Sequence, residues 1–139
     1  MYADIIQRFN LAFATVTPEI GAILDYQPTT LQAFPTMFSR LQGFTRSTDG
    51  GRVHMRYRMA HLLCFVFQDN EEAERQMESY INAVPYAVDV YQSTGGIVSP
   101  GMTEIVSGDV MMVNVGGVAY LAIVFYSDTV EKAGRLTGI

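Results

Sequence analysis

From Val53 to Phe67 the chain reads VHMRYRMAHLLCFVF, and its hydrophobic pattern changes halfway along. At first apolar and polar positions alternate: Val53, Met55, Tyr57 and Met59 fall on one face of an extended strand, and His54, Arg56 and Arg58 on the other. From Ala60 onward both faces are apolar. Strands average about 5–6 residues. At about 3.3 Å per residue this one spans roughly 50 Å, against a radius of gyration of about 14–15 Å for a compact domain of this length. The alternating half is therefore expected to reach beyond its own core. An isolated hairpin is marginal in water, so its apolar stripe calls for a neighbouring subunit. Val53, Met55, Arg56, Tyr57, Arg58 and Met59 form the candidate interface, with the two arginines pairing with acids of the neighbour.

The remaining pattern supplies the partners of that strand. Ile5, Ile6, Phe9, Leu11, Phe13 and Val16 recur near helical spacing over Ala3 to Val16, with Asp4 in the first turn, and predict a helix. Thr17-Pro18 interrupts it, and Ile20, Ile23 and Leu24 suggest a short further turn before Gln27-Pro28. Leu31 to Arg46 has no clean period; its second half is assigned to a strand. Ser47 to Gly51 joins it to the long strand as a hairpin over about residues 36–67. Asp69 or Asn70 offers an N-cap to an amphipathic helix that begins with Glu71, Glu72 and Glu74 and carries Met77, Tyr80, Ile81 and Val84 inward. Pro85 is expected to end or kink this helix, with a second piece over Tyr86 to Gln92. A weak strand near Ile97 to Ser99 should precede a hairpin of Met102–Val115 and Val118–Val130, turned at Gly116-Gly117. Residues 131–139 read as a flexible C-terminal tail. The expected fold is one α+β domain over residues 1–139, a mainly antiparallel sheet from two hairpins with helices packed on it. Its expected order is α-ββ-α-ββ, with the long hairpin projecting.

Composition narrows the possibilities further. Of 139 residues, 49% are apolar and 17% charged, which argues for a folded chain with extensive buried or subunit-covered surface and against disorder. The net charge of −5, with acids spread along the chain, disfavours a generic basic nucleic-acid reader. No run of about 18 apolar residues predicts a membrane span, and MYADIIQRFN lacks the regions of a signal peptide. Together with a single cysteine, this points to the reducing cytoplasm as the place of synthesis and assembly.

Candidate chemistry is sparse. His54 and His61 lie an odd number of residues apart on one strand, on opposite faces, and cannot share a metal from there. His61 reads as a satisfied core histidine and His54 as an exposed strand residue. Cys64, mid-strand between Leu63 and Phe65, reads as a buried, inert thiol. No G-x-S-x-G marks a nucleophile. The pairs Gly50-Gly51, Gly95-Gly96 and Gly116-Gly117 lack the phosphate-loop contexts and read as turns. Glu71, Glu72 and Glu74 are explained by the helix dipole. Met55, Met59, Met111 and Met112 are explained by strand packing. No catalytic residue, cofactor or metal site is expected.

One resemblance emerges from element order. A helix leads to a hairpin ending in Q-D-N-E-E-A-E-R-Q, followed by a T-G-G turn and a hairpin that closes in G-G-V-A-Y-L-A-I-V-F-Y-S-D-T-V. Over nearly all of residues 1–130 this pattern resembles the tail terminator (tail completion) proteins of long-tailed bacteriophages and related phage-like particles. The resemblance implies a structural virion protein, assembled in the host cytoplasm into a homo-hexameric ring at the head-proximal end of the tail. Such a ring stops polymerisation of the tail tube protein, offers a joining surface to the head-tail connector protein, and lets DNA pass through its lumen without specific binding. It implies no catalytic residue. Another head-tail connector or neck protein, or a small α+β barrel ligand-binding protein or enzyme, are the alternatives.

Overall fold

The computed structural model describes residues 2–66, 70–93 and 103–135, with the side chains of residues 2–4, 49, 70 and 131–135 left aside. It is an α+β fold of two helices and one mixed five-stranded sheet. The elements are α1 (Tyr2–Phe13), β1 (Ala22–Leu24), β2 (Thr36–Asp49), β3 (Arg52–Phe65), α2 (Asn70–Ser93), β4 (Thr103–Val115) and β5 (Val118–Arg135). In the sheet the strands lie in the order β1-β2-β3-β5-β4. β3 is therefore central, with β2 and β5 antiparallel on its two sides.

That position explains the double character of β3. From Met59 to Phe65 every side chain is buried. Met59, Leu63 and Phe65 face the helices together with Met37, Ile123 and Phe125. Ala60, Leu62 and Cys64 face the opposite side with Phe38, Val113, Val115, Ala122 and Val124. Leu24, Leu31, Tyr120 and Tyr126 pack against this second cluster, so the sheet is apolar on both faces at its inner end.

Both helices bury one stripe. α1 inserts Ile5, Ile6, Phe9, Ala12 and Phe13, while Leu11, expected on the same face, is 58% exposed because it falls out of the i, i+3, i+4 series. α2 buries Ala73, Met77, Tyr80, Val84, Ala87 and Val88. That stripe stays in phase across Pro85, and α2 continues through it to Ser93. An interior proline costs about 3 kcal/mol through a lost hydrogen bond and a ring clash; burial on both sides of it holds the helix together nonetheless. The Tyr80 hydroxyl donates to the Glu19 carbonyl at 3.0 Å, and the Gln92 amide donates to the Thr103 carbonyl at 2.6 Å, tying α2 to the segment after α1 and to β4.

Two further expectations change. Ile23 and Leu24 belong not to a helical turn but to β1, which pairs parallel with Thr36 to Phe38 and makes the sheet mixed. Residues 131–135, read as tail, continue β5 and pair back to Arg52. The outer hairpin is thus three strands wide rather than two. The strand expected at Ile97 to Ser99 and the proposed N-cap Asp69 lie outside the described residues. Both hairpin turns have the conformation their glycines allow: φ is 57° and 79° at Gly50-Gly51, and 60° and 84° at Gly116-Gly117, the pattern of type I′ turns.

Candidate interaction surfaces

The most polar point of the core is His61. Its Nδ1 lies 2.6 Å from Ser39 Oγ on β2, and its Nε2 lies 2.7 Å from Ser127 Oγ on β5. Phe9 and Phe13 of α1 cover the ring, with centroids 4.4 and 5.2 Å away. Burial with no charged partner pushes its pKa down from 6.5 to about 3, so the imidazole is neutral, one nitrogen donating and the other accepting. A Ser-His-Ser row can suggest nucleophilic chemistry, but His61, at 0% exposure, cannot meet a substrate. It acts as a cross-strand tie between β2, β3 and β5. Cys64 is equally sealed, and burial raises its thiol to about 11. Among the described residues there is no group of three or more His, Cys, Asp or Glu side chains placed to hold a metal ion.

The expected interface residues divide. Val53 and Met59 are 3% and 0% exposed and leave no surface for a neighbour; Met59 belongs to the helix-side cluster, whereas Val53 is covered locally at the tip of the hairpin. Met55 and Tyr57 are half-buried, with Tyr57 packed against the helix-side cluster, and Arg56 and Arg58 are exposed. Arg56 Nε lies 3.7 Å from Asp128 Oδ2 on β5, within the same chain. The Arg58 guanidinium lies across Gly43, where a Cβ would come 2.6 Å from its terminal nitrogen.

The register gathers more charge here than the pair Arg56 and Arg58. β2 from Gly43, β3 as far as Arg58, β5 from Asp128 and the start of β4, Thr103 and Glu104, which pairs with it, form the outer end of the sheet. This region carries six of the nine cations (Arg46, Arg52, Arg56, Arg58, Lys132 and Arg135) and four of the fourteen acids, Asp49, Glu104, Asp128 and Glu131. It holds a formal charge of +2, and the rest of the chain −7. The signal was present in the sequence as four arginines between positions 46 and 58. Phe44, on β2 in the same region, is 58% exposed.

A second surface lies at the opposite edge of the sheet. β4 has a neighbour on one side only, and Val106, Val110, Met111 and Met112 remain exposed along it; Met111 and Met112 are thus not spent on internal packing. Edges of this length usually carry lysine, proline or a bulge against further pairing. Here a register shift between Ile105 and Ser107 bends the strand, and no lysine or proline occurs within it. Between β4 and α2 runs a groove of about 280 Å³ lined by Ile81, Pro85, Ile105, Val106, Val110 and Phe125. Glu78 and Asp89, both exposed, share the helical stripe of Ile81 and Pro85. Asp109 borders the groove on β4, but it pairs with Val124 and its carboxylate serves the opposite face of the sheet, where it accepts a hydrogen bond from Tyr126, whose pKa is raised by burial and then by that acid.

No protein-family model matches this chain, and no curated protein matches its sequence.

Proposed function

We propose that this protein is a structural assembly subunit of the tail terminator kind. On this reading it forms a homo-hexameric ring on the head-proximal end of a phage tail tube. The ring ends growth of the tube protein and presents a joining surface to the head-tail connector. The observation that carries the reading is the outer end of β2, β3 and β5, where burial falls away while apolar Phe44, Met55 and Tyr57 remain at least partly uncovered beside a concentration of arginine. We read this end as an arm that projects from the body toward a neighbouring copy. Element order supports it too: a helix, the long hairpin, a helix and a closing hairpin follow one another, with the short β1 added. The excess of negative charge outside the arm suits a lumen through which DNA slides without specific binding.

Removal of the gene product from the producing host tests the proposal. Electron microscopy of the lysate should show tails of uncontrolled length without heads, and the purified protein should give six-fold rings by negative stain. Tails of normal length joined to filled heads would refute the terminator role.

A further inference from the structure

We propose that the arginine-rich outer end of one copy docks into the acidic-rimmed apolar groove between α2 and β4 of the next copy. This rests on the reading of the chain as a ring subunit, and it identifies the two surfaces that meet. The occupant is a second copy because the chain itself supplies what the groove lacks. The groove offers exposed Ile81, Val106 and Val110 flanked by Glu78 and Asp89 of α2. The outer end offers the uncovered Phe44 flanked by Arg46, with Arg52 at the tip of the same hairpin. Five of its six cations are arginine, the planar and weakly hydrated cation that suits a desolvated contact better than lysine does.

Geometry and charge also limit the symmetry. β4 closes one side of the sheet, whereas on the other side β1 covers only Thr36 to Phe38 and leaves β2 without a strand neighbour from Ser39 outward. A contact between these two different patches is heterologous, and such contacts build rings or filaments rather than stopping at a dimer. Pairing like with like would set +2 against +2, with the arginines of both copies facing one another, which repels.

Charge reversal at four exposed positions tests the docking. One variant carries Arg46→Glu and Arg52→Glu, a second Glu78→Arg and Asp89→Arg, and circular dichroism with urea midpoints verifies that each is folded. In sedimentation velocity at 50 mM salt each variant alone should associate at least about tenfold more weakly than the parent. An equimolar mixture of the two should assemble again, because each reversed surface then meets its opposite in strict alternation. Association of the parent should also weaken in 500 mM salt, where the Debye length falls to about 4–5 Å. If the parent forms rings and both variants do so equally well, the docking is wrong while the ring reading stands. If the parent forms open chains and the mixture is rescued, the docking stands and the closed ring does not. A parent that stays monomeric removes both. A fluorescent DNA duplex bound by the parent, but not by Arg46→Glu/Arg52→Glu, with no change in oligomeric mass would assign the arginines to nucleic acid and overturn the proposal.

Discussion

Acidification should destabilise this protein through a single buried residue. His61 has its pKa lowered from 6.5 to about 3 by burial, under Phe9 and Phe13 and between two serine hydroxyls. Between those two values the unfolded chain holds a proton on His61 and the folded chain does not, so added protons favour unfolding. The contribution is fully present above pH 6.5 and is lost as pH falls toward 3. Each pH unit in that interval is worth about 1.4 kcal/mol, giving a loss of about 2 kcal/mol by pH 5 and about 5 kcal/mol by pH 3. Carboxylates also titrate in the lower part of this range, so the comparison needs a variant that differs only at the imidazole. His61→Gln keeps one donor and one acceptor for the serines but carries no titrating group. Urea unfolding followed by tyrosine fluorescence, in dilute protein so that association adds nothing, should show the parent more stable than His61→Gln at pH 7.5. That advantage should shrink by about 2 kcal/mol at pH 5. A difference that stays constant within about 0.5 kcal/mol across the interval would mean that His61 is not held neutral in the core.

Other perturbations separate core from surface. Phe65, 1% exposed, should cost about 3–5 kcal/mol when changed to alanine, measured by the same urea titration. Cys64, raised to about 11 by burial, should react with a thiol reagent at pH 8 no faster than the protein unfolds; rapid labelling would place it elsewhere. Met59→Asp should abolish folding, since its side chain is fully buried, whereas Met55→Asp should leave the circular dichroism spectrum unchanged and impair association. Gly50 has open space around a Cβ, so Gly50→Asn should be close to neutral, while Gly116→Asn should lower stability by at least about 1–2 kcal/mol because its Cβ would collide with the Thr29 carbonyl. Equal midpoints for these two variants would contradict the turn geometry.

What could be read from the sequence was what local periodicity encodes. The 3.6-residue stripe of Met77, Tyr80 and Val84, the paired glycines at both hairpins and the two-sided apolar half of β3 each imply one structure without reference to the rest of the chain. The exceptions depend on distant partners. β1 is three residues long and forms because Gly21 permits a close backbone approach, where a Cβ would stand 2.6 Å from the Phe34 carbonyl. Glu131, Lys132 and Arg135 look like tail residues, yet a strand needs only backbone groups to pair, and β3 supplies them as far as Arg52. Alternation in Val53, Met55, Tyr57 and Met59 identified an apolar face but not what covers it. For Val53 and Met59 that cover comes from the chain itself, and only the middle of the stripe keeps surface for a partner.

The formal charge of −5 conceals that the charges of this protein are sorted along the sheet. Folding does not require the sorting. Arg56 and Asp128 are 57% and 31% exposed at 3.7 Å, and a pair so placed contributes only about 0–1 kcal/mol to the subunit. The cations lie where burial along β3 is lowest, and the sealed segment from Met59 to Phe65 carries none apart from the neutral His61. In the docking proposed above the same charges would act between copies, steering encounter over about a Debye length, setting opposite ends facing and penalising arm against arm. Specific register would then fall to the uncovered apolar groups, Phe44 on one end and Ile81, Val106 and Val110 on the other, whose burial would supply the strength that screened charge cannot. Encounter should accordingly be sensitive to salt and the completed contact much less so, a division suited to a part that must find its place once and then remain there.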